Sequence, residues 1–308
     1  MNTTPSFIPH DAPPASARRA LVLGGGGSTG NAWLIGVVAG LADAGLDVTG
    51  ADRIIGTSAG STAAAQIAGA TPAELYAAVL DAPLPQRTRP AGTQASGSPA
   101  SNHAVPNHLE RTGRLIAASA DAADMRRRMG AAALDLAASH DGSVRWRATV
   151  AARLPRQEWP EHELLITAMD ATSGEPAVFD RHSGIGLVDA VAASCSSGSA
   201  YRIGDKGYID GGYRRNENAD LAAGCGRVLV LSPFGGRTRM PLEWGMQLAA
   251  QVEELRAGGS RVEAVFPDSG AEHMFGANAM DPSLRPAAAH AGYNQGKALA
   301  ARLMEFWK

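Results

Sequence analysis

A serine between two glycines lies where an apolar segment gives way to a run of small residues. The segment Gly56-Thr57-Ser58-Ala59-Gly60 fits the pattern G-x-S-x-G, and Arg53-Ile54-Ile55 before it is typical of a strand. On a tight turn between strand and helix the Ser58 hydroxyl would project from the sheet, and Gly56 and Gly60 would leave room for that turn. We interpret Ser58 as a nucleophile. The alternative interpretation is a structural glycine–serine turn.

A run of glycines, Gly24-Gly25-Gly26-Gly27-Ser28-Thr29-Gly30, lies between the apolar run 20–23 and a predicted helix over 31–44. The backbone N–H groups of consecutive glycines are open because no Cβ atom covers them. Such amides could hold the oxyanion of a tetrahedral intermediate, and one donor of this kind contributes on the order of 3 kcal/mol to the transition state. The run therefore indicates a loop that can bind an anion.

The same glycines also allow a dinucleotide-binding interpretation, because Gly25, Gly27 and Gly30 satisfy G-x-G-x-x-G. That motif requires an acidic residue at the end of a second strand about 20 residues further on. Asp52 is near, but it precedes its strand, and that strand leads instead into the serine turn. A P-loop is excluded because no Lys-Ser/Thr pair follows the glycines.

An aspartate followed by two glycines, Asp210-Gly211-Gly212, comes directly after the predicted short strand 207–209. Aspartate and glycine are common turn residues, so this triplet alone predicts only a turn. Its meaning changes when it is considered with the other two motifs.

The glycine run, the G-x-S-x-G segment and the D-G-G triplet, in that order, resemble the patatin-like phospholipase family. The resemblance extends from about residue 19 to about residue 231. Within it, three further segments look like those of bacterial members: 167–175, 192–195 and 218–221. The set is specific although each motif is weak by itself.

This resemblance implies a lipid acyl hydrolase with a Ser–Asp dyad and no catalytic histidine. Ser58 would be the nucleophile and Asp210 the general base and acid, with Gly56, Gly60, Gly211 and Gly212 supporting the two motifs. The amides of Gly25, Gly26 and Gly27 would form the oxyanion hole. The expected substrate is a lipid or another acyl ester, and the chemistry needs no cofactor and no metal. Family members usually carry Arg or Lys where this chain has Thr29.

Two other functions stay open from the sequence. A Ser–His–acid esterase or thioesterase triad would use His273 as its base, with an acid upstream of it in the chain. A non-catalytic lipid-binding or nucleotide-binding α/β protein would keep the glycine run without turning over an ester. Hydrolysis assays on variants separate these hypotheses from the dyad.

The elements that must position these residues alternate between strands and helices, which predicts a three-layer α/β/α fold with a mostly parallel central sheet. We predict a disordered tail over 1–18 and a single domain over 19–308. Within that domain, 83–105 is rich in Pro, Ser, Gly and Thr. We interpret this segment as a flexible loop and a candidate lid, and we expect it to cover the acyl groove together with the helices that follow.

Composition limits the partners. The chain has 308 residues, a formal net charge of −2 and a pI of about 6.4, which argues against nucleic-acid binding. No segment is typical of a secretory signal or a membrane span, so we expect a cytoplasmic protein whose membrane contact is at most peripheral. The oligomeric state is not predicted. The two cysteines, Cys195 and Cys225, have no zinc-site spacing and are expected to be reduced.

Overall fold

The computed structural model describes residues 16–82 and 104–308, and every structural statement below concerns these residues. Their strands are β1 (Arg19–Leu23), β2 (Arg53–Thr57), β3 (Glu163–Asp170), β4 (Pro176–Phe179), β5 (Tyr201–Ile203), β6 (Lys206–Asp210), β7 (Arg227–Leu231) and β8 (Arg261–Val265). Their α-helices are α1 (Gly27–Asp43), α2 (Ala59–Ile67), α3 (Pro72–Asp81), α4 (Ala104–Ala117), α5 (Ala122–Ser139), α6 (Ser143–Ala151), α7 (Leu187–Ser194), α8 (Leu248–Ala257) and α9 (Arg285–Trp307).

The strands form one mixed sheet. Its order is β5-β6-β3-β2-β1-β7-β8, and β4 pairs with β3 outside this path. The pairs among β3, β2, β1, β7 and β8 are all parallel, whereas β4, β5 and β6 pair antiparallel. Apolar residues of the central strands are fully buried, as expected for parallel strands covered by helices on both faces. The predicted three-layer α/β/α fold with a mostly parallel sheet is confirmed.

One edge of β3 is shared by two strands that approach from opposite directions. Residues 163–167 of β3 pair in parallel with β2, and residues 168–170 pair antiparallel with β6. β4 pairs with residues 166–169 and so overlaps both segments. Because a strand has only two hydrogen-bonding edges, β4 occupies one of them and β2 and β6 share the other.

The ends of β2 and β6 therefore meet. β2 ends at Thr57 opposite Thr167, and β6 ends at Asp210 opposite Ala168, the next residue of β3. Ser58 follows β2 directly, so the sheet register alone brings Ser58 close to Asp210. Their 152-residue separation in sequence (210 − 58) is bridged by the pairing of both strands to β3.

On one face, α1 and α9 pack with their backbones in close approach. A methyl group at Gly36 would lie 2.1 Å from the Ala289 carbonyl oxygen, and one at Gly40 would lie 2.1 Å from the Tyr293 carbonyl oxygen. Fully buried Trp33 belongs to this contact, since its carbonyl oxygen would lie 2.4 Å from a methyl group at Gly292 of α9. We call α1 and α9 the helix pair. Helix α1 begins within the glycine run 24–30, which we call the glycine loop, and so the helix pair anchors the position of this loop.

The opposite side of the site is covered by α4, α5 and the segment 234–247. A separate apolar cluster lies here, formed by Ile116 of α4, Met125 and Met129 of α5, and Ile209 of β6, among others. This cluster packs under the end of β6 and supports the Asp210 side of the site.

The segment between β7 and β8 contains a short 3-10 helix, Leu242–Trp244, followed by α8, because Gly245 turns the chain with a φ of +65°. Two predicted segments lie largely outside the described residues. Of the predicted tail, residues 1–15 lie outside the described chain, whereas the Arg18 carbonyl accepts a hydrogen bond from the Gly226 N–H. Of the predicted loop over 83–105, residues 83–103 lie outside the described chain, and its last two residues begin α4.

Among the helices that the structure describes, none combines the length and the apolar character needed to cross a bilayer. Both cysteines carry free thiols. In the same part of the chain, no three His, Cys, Asp or Glu side chains come together as a metal-ligand set.

Candidate active site

Ser58 lies on a strained turn between β2 and α2. Its φ of 53° and ψ of −118° are unusual for a residue with a side chain, and such strain is common at functional sites. A methyl group at Gly60 would lie 1.9 Å from the Leu23 carbonyl oxygen, and one at Gly56 would lie 2.6 Å from the Ser61 Cα. Both glycines of the motif are therefore required by close backbone contacts.

Three hydrogen bonds to the Ser58 backbone hold this turn in place. The Ser58 N–H donates to Ser194 Oγ at 2.8 Å, and the Ser58 carbonyl accepts from Ser61 Oγ at 2.6 Å and from Cys195 Sγ at 3.1 Å. Burial raises the pKa of the Cys195 thiol to about 11, and the nearby Asp210 charge acts in the same direction. Cys195 is therefore a protonated donor that supports the turn, since only a thiolate is a strong nucleophile.

Asp210 ends β6 and is only 7% exposed. Its Oδ1 accepts a hydrogen bond from the Gly212 N–H at 2.8 Å. Burial raises the pKa of Asp210 to about 6, while hydrogen bonds from the Gly212 amide and the Ser58 hydroxyl act in the opposite direction. A carboxylate with this pKa, facing the Ser58 hydroxyl, has the properties expected of a general base near neutral pH.

The chain turns sharply after Asp210. A methyl group at Gly211 would lie 2.3 Å from Thr167 Oγ1, so β6 can end against β3 only with glycine here. The buried Asn218 amide crosses the junction, with its Nδ2 at 3.0 Å from Thr57 Oγ1 and 3.2 Å from the Gly211 carbonyl. Asn218 itself has a left-handed φ of 52°. Its positioning role was missed from the sequence, although it lies in the family-like segment 218–221.

The glycine loop faces the same site. Gly25 lies against Ser58, since a methyl group at Gly25 would lie 3.6 Å from Ser58 Cβ. The Gly25 N–H donates to the Asn216 carbonyl at 3.0 Å, and Asn216 Nδ2 donates back to the Gly25 carbonyl at 3.2 Å. Within the described residues, the N–H groups of Gly26 and Gly27 donate to no protein acceptor. The predicted oxyanion loop therefore offers two open amides, and that of Gly25 is occupied.

Thr29 and Arg285 anchor the start of α1. Thr29 is fully buried, and its Oγ1 donates to the Met274 carbonyl at 2.9 Å. Arg285 of α9 donates from Nη1 to the Ser28 carbonyl at 2.7 Å and from Nη2 to Asn31 Oδ1 at 3.1 Å. Thus a guanidinium reaches the glycine loop from a distant helix, although Thr29 itself is uncharged. Sequence analysis missed Arg285 because nothing in its local sequence marks it.

Two residues considered in the alternative hypotheses are placed differently. His273 is exposed, and its Nδ1 lies 3.0 Å from the Gly270 carbonyl oxygen; within the described chain it forms no hydrogen bond with Ser58 or Asp210. Asp52 lies before β2 and accepts from the Arg19 N–H at 2.7 Å. That position is at the end of the sheet opposite to the glycine loop, so Asp52 cannot serve the ribose of a dinucleotide bound there.

A cavity of about 200 Å³ opens onto Asp210 and Gly212. Ile116, Phe234 and Met240 give it apolar walls, and several basic side chains line it as well. A ligand in this cavity would meet the Asp210 side of the junction between β2 and β6.

Three comparisons place the chain among known proteins. The family model for patatin-like phospholipase matches residues 21–223. No curated protein matches the chain. Among solved structures, VipD from Legionella pneumophila is similar at 15% identity and a TM-score of 0.43, covering 94% of this chain and 68% of that one.

Two structures of ExoU are also similar. The type III effector protein ExoU has 16% identity and a TM-score of 0.40, with 94% of this chain covered. ExoU in complex with SpcU, from the type III secretion system of Pseudomonas aeruginosa, has 18% identity, a TM-score of 0.40 and 96% of this chain covered. The present chain spans about half of ExoU, 54% in each case.

The family match covers 203 of the 308 residues (223 − 21 + 1). It includes the glycine loop, the serine turn and the D-G-G triplet. This chain therefore belongs to the patatin-like phospholipase family.

Proposed function

We propose that the protein is a lipid acyl hydrolase that cleaves carboxylic esters through a dyad of Ser58 and Asp210. The observation that carries this proposal is the junction of β2 and β6 on β3, which sets a strained serine against a buried carboxylate. Membership of the family supports the general activity. The roles of the individual residues are our inference from the geometry.

In the first step, the Ser58 Oγ attacks the ester carbonyl carbon while Asp210 accepts the hydroxyl proton. The carbonyl π electrons move onto oxygen, and the resulting oxyanion is held by the open amides of Gly26 and Gly27 at the start of α1. The positive end of that helix dipole adds to the stabilisation. Gly25 contributes by fixing the loop, because its own N–H is bonded to Asn216.

In the second step, the tetrahedral intermediate collapses and the bond to the leaving alkoxide breaks. Asp210 returns its proton to that oxygen, which leaves an acyl group on Ser58 and a free alcohol. Water then attacks the acyl-enzyme while Asp210 again accepts a proton, and Ser58 recovers that proton as the carboxylic acid departs. The dyad supplies every proton transfer, so this route requires no metal or organic cofactor.

The cavity next to Asp210 supports an ester with an apolar part, since Ile116, Phe234 and Met240 line it. We propose an acyl lipid as the substrate class, reached through peripheral contact with a membrane surface. Because the pKa of Asp210 is about 6, its base form should disappear as the pH falls below that value. The proposed rate, expressed as kcat/KM, should then decrease by about tenfold per pH unit.

Hydrolysis of p-nitrophenyl esters of several chain lengths tests the dyad. Ser58→Ala and Asp210→Asn should each reduce kcat/KM by at least about a thousandfold, because each removes a group that acts in the transition state. His273→Ala is the matched control and should keep wild-type activity. A folded His273→Ala protein without activity would replace the dyad with a triad.

A second measurement locates the nucleophile independently of substrate choice. A fluorophosphonate probe should label wild-type protein on Ser58, and mass spectrometry should find no label on the Ser58→Ala variant. A wild-type protein that neither hydrolyses esters nor accepts the probe would favour a non-catalytic lipid-binding protein.

A further inference from the structure

Three basic side chains, His108, Arg237 and Arg239, line the cavity that opens onto Asp210. We call His108, Arg239 and Arg111, which lies beside His108 on α4, the basic cluster. His108 lines both this cavity and an adjoining one of about 710 Å³, which Arg111 also lines. The cluster therefore stands where the two cavities meet.

The basic cluster is built into the fold. Arg239 donates from Nη1 to Thr112 Oγ1 and from Nη2 to the Leu109 carbonyl, both at 2.8 Å, which ties the segment 234–240 to α4. Arg111 Nη2 lies 3.5 Å from His108 Nδ1, one turn earlier on α4. Burial lowers the pKa of His108, and the charges of Arg111 and Arg239 lower it further. Positive charges are thus held together at a partly buried position.

Within the described chain, none of the basic-cluster residues forms an ion pair, and the neighbouring Glu110 pairs with Arg114 at 3.7 Å. Arg111 Nε is buried without a hydrogen-bond acceptor among the described residues. The sequence of 83–103 contains no Asp or Glu. A buried donor and uncompensated like charges are both costly, so an anion bound here would relieve both costs.

The basic cluster and the proposed base lie around the same aromatic ring. The Tyr213 hydroxyl donates to the Ser197 carbonyl at 2.6 Å. Burial raises the pKa of Tyr213, the Asp210 charge raises it further, and the charges of Arg111 and Arg239 act in the opposite direction. The negative charge of Asp210 and the positive charges of Arg111 and Arg239 therefore act on the same buried tyrosine ring. His108, Arg239, Asp210 and Tyr213 line the same cavity, which places the cluster beside the proposed base.

We propose that His108, Arg111 and Arg239 form a subsite for a phosphate or carboxylate carried on the alcohol portion of the ester. The alcohol portion is indicated because Asp210 protonates the leaving oxygen, and the cluster lies on that side of the cavity. Arginine suits this task, since its planar guanidinium binds phosphate and carboxylate oxygens through paired hydrogen bonds. This inference rests on the proposed function and adds a preference for anionic over neutral esters.

Two octanoyl esters that differ in leaving-group charge test the preference. They are p-nitrophenyl octanoate and nitro-(octanoyloxy)benzoate, which carries a carboxylate on its leaving group. In the double variant Arg111→Gln/Arg239→Gln, the ratio of kcat/KM for the anionic ester over the neutral ester should fall about tenfold. Arg111→Lys/Arg239→Lys should recover part of the ratio. Arg145→Gln, at an exposed position on α6, is the control and should leave the ratio unchanged. An unchanged ratio in the folded double variant would overturn the proposal.

A binding measurement separates this inference from the proposed function. Titration calorimetry of Ser58→Ala with octyl phosphate should show binding that weakens about tenfold when Arg111 and Arg239 are also replaced by Gln. That result supports the subsite even if neither ester is hydrolysed, in which case the proposed function fails alone. Inorganic phosphate that binds as tightly as octyl phosphate, with no preference between the two esters, would overturn the assignment to substrate in favour of a free anion. No binding of either phosphate would also overturn it.

Discussion

The helix pair differs in its packing from the cover of the cavity, by which we mean α4 and the segment 234–240. In the helix pair, glycines of α1 face carbonyl groups of α9 so closely that no side chain fits between the backbones. Across the site, α4 and the segment 234–240 are joined by hydrogen bonds from Arg239, and basic side chains line the cavity between them.

The two regions differ in the substitutions that they can accept. The helix pair holds the glycine loop, and its closest contacts leave no room for a residue larger than glycine at Gly36 and Gly40. The cover contributes polar groups that line the cavity and that a ligand can contact. We therefore expect substitutions in the helix pair to affect stability and rate, and those in the cover to affect substrate choice.

The same substitution in both regions gives the largest expected contrast. Gly36→Ala should destabilise the protein by about 2–3 kcal/mol, because the new methyl would lie 2.1 Å from the Ala289 carbonyl oxygen. Gly113→Ala in α4 should be neutral or stabilising by up to about 1 kcal/mol, since alanine favours helix and its methyl has 3.4 Å to Arg239 Nη2. Urea unfolding of both variants measures this. Gly50→Ala, with no atom within 4 Å of the new methyl, is the control for the substitution itself.

Equal losses at Gly36 and Gly113 would remove the distinction between the two regions. A stable Gly36→Ala variant would show that α1 and α9 can move apart, and the helix pair could not then be the rigid part of the molecule.

Asp210 lies between the two regions and gives the next largest effect. Its folded-state pKa of about 6 is above the ordinary value of 3.8, so it stabilises the fold fully below pH 3.8 and loses that contribution as the pH rises through 6. Asp210→Asn cannot ionise. Its stability relative to wild type should therefore increase between pH 4 and pH 8 by about 2 kcal/mol, although activity is lost.

Thermal or urea unfolding of both proteins across that pH range measures the difference. A stability difference that does not depend on pH would mean that burial does not raise the pKa of Asp210. Its proposed role as a base near neutral pH would then lose its physical support.

Arg285 of the helix pair contacts the start of α1, and replacing it should have a smaller effect than the changes above. Arg285→Met removes the donors to the Ser28 carbonyl and Asn31 Oδ1, so the open amides of Gly26 and Gly27 lose a fixed orientation. We expect kcat to fall about tenfold with little change in KM, because the oxyanion forms only in the transition state. Arg285→Lys should restore part of the rate.

Arg302→Met is the matched control, since Arg302 lies on the exposed side of α9 and pairs with Glu263. It should leave kcat unchanged. If Arg285→Met raises KM and spares kcat, the guanidinium would bind substrate and would not act through the loop.

Local sequence was sufficient for much of the fold. The alternation of elements predicts the sheet and its helical layers, and the three glycine-containing motifs, taken together through their resemblance to the family, single out Ser58, Asp210 and the glycine loop as candidates. These features could be predicted because turns and close approaches require particular residue types at particular positions. The family-like segments 192–195 and 218–221 contain Ser194 and Asn218, but their hydrogen bonds to the serine turn and to Thr57 depend on the fold.

The basic cluster and Arg285 could not be predicted, because their partners are far away in sequence. Arg239 meets α4 across more than a hundred residues, and Arg285 meets the glycine loop across more than two hundred. The occupied N–H of Gly25 was missed for the same reason, since its acceptor is the carbonyl of Asn216.

Strand β3 contributes no side chain to the proposed proton transfers, yet it fixes the gap between the two groups that perform them. Thr167 and Ala168 are consecutive, so the ends of β2 and β6 are separated by one step of β3, about 3.3 Å. Exchanging residues along β3 preserves this gap, whereas inserting one residue between those positions widens it. The number of residues in β3 is therefore constrained more strictly than their identity. A design that transfers this site to another protein must keep the length of β3 even where it changes the sequence.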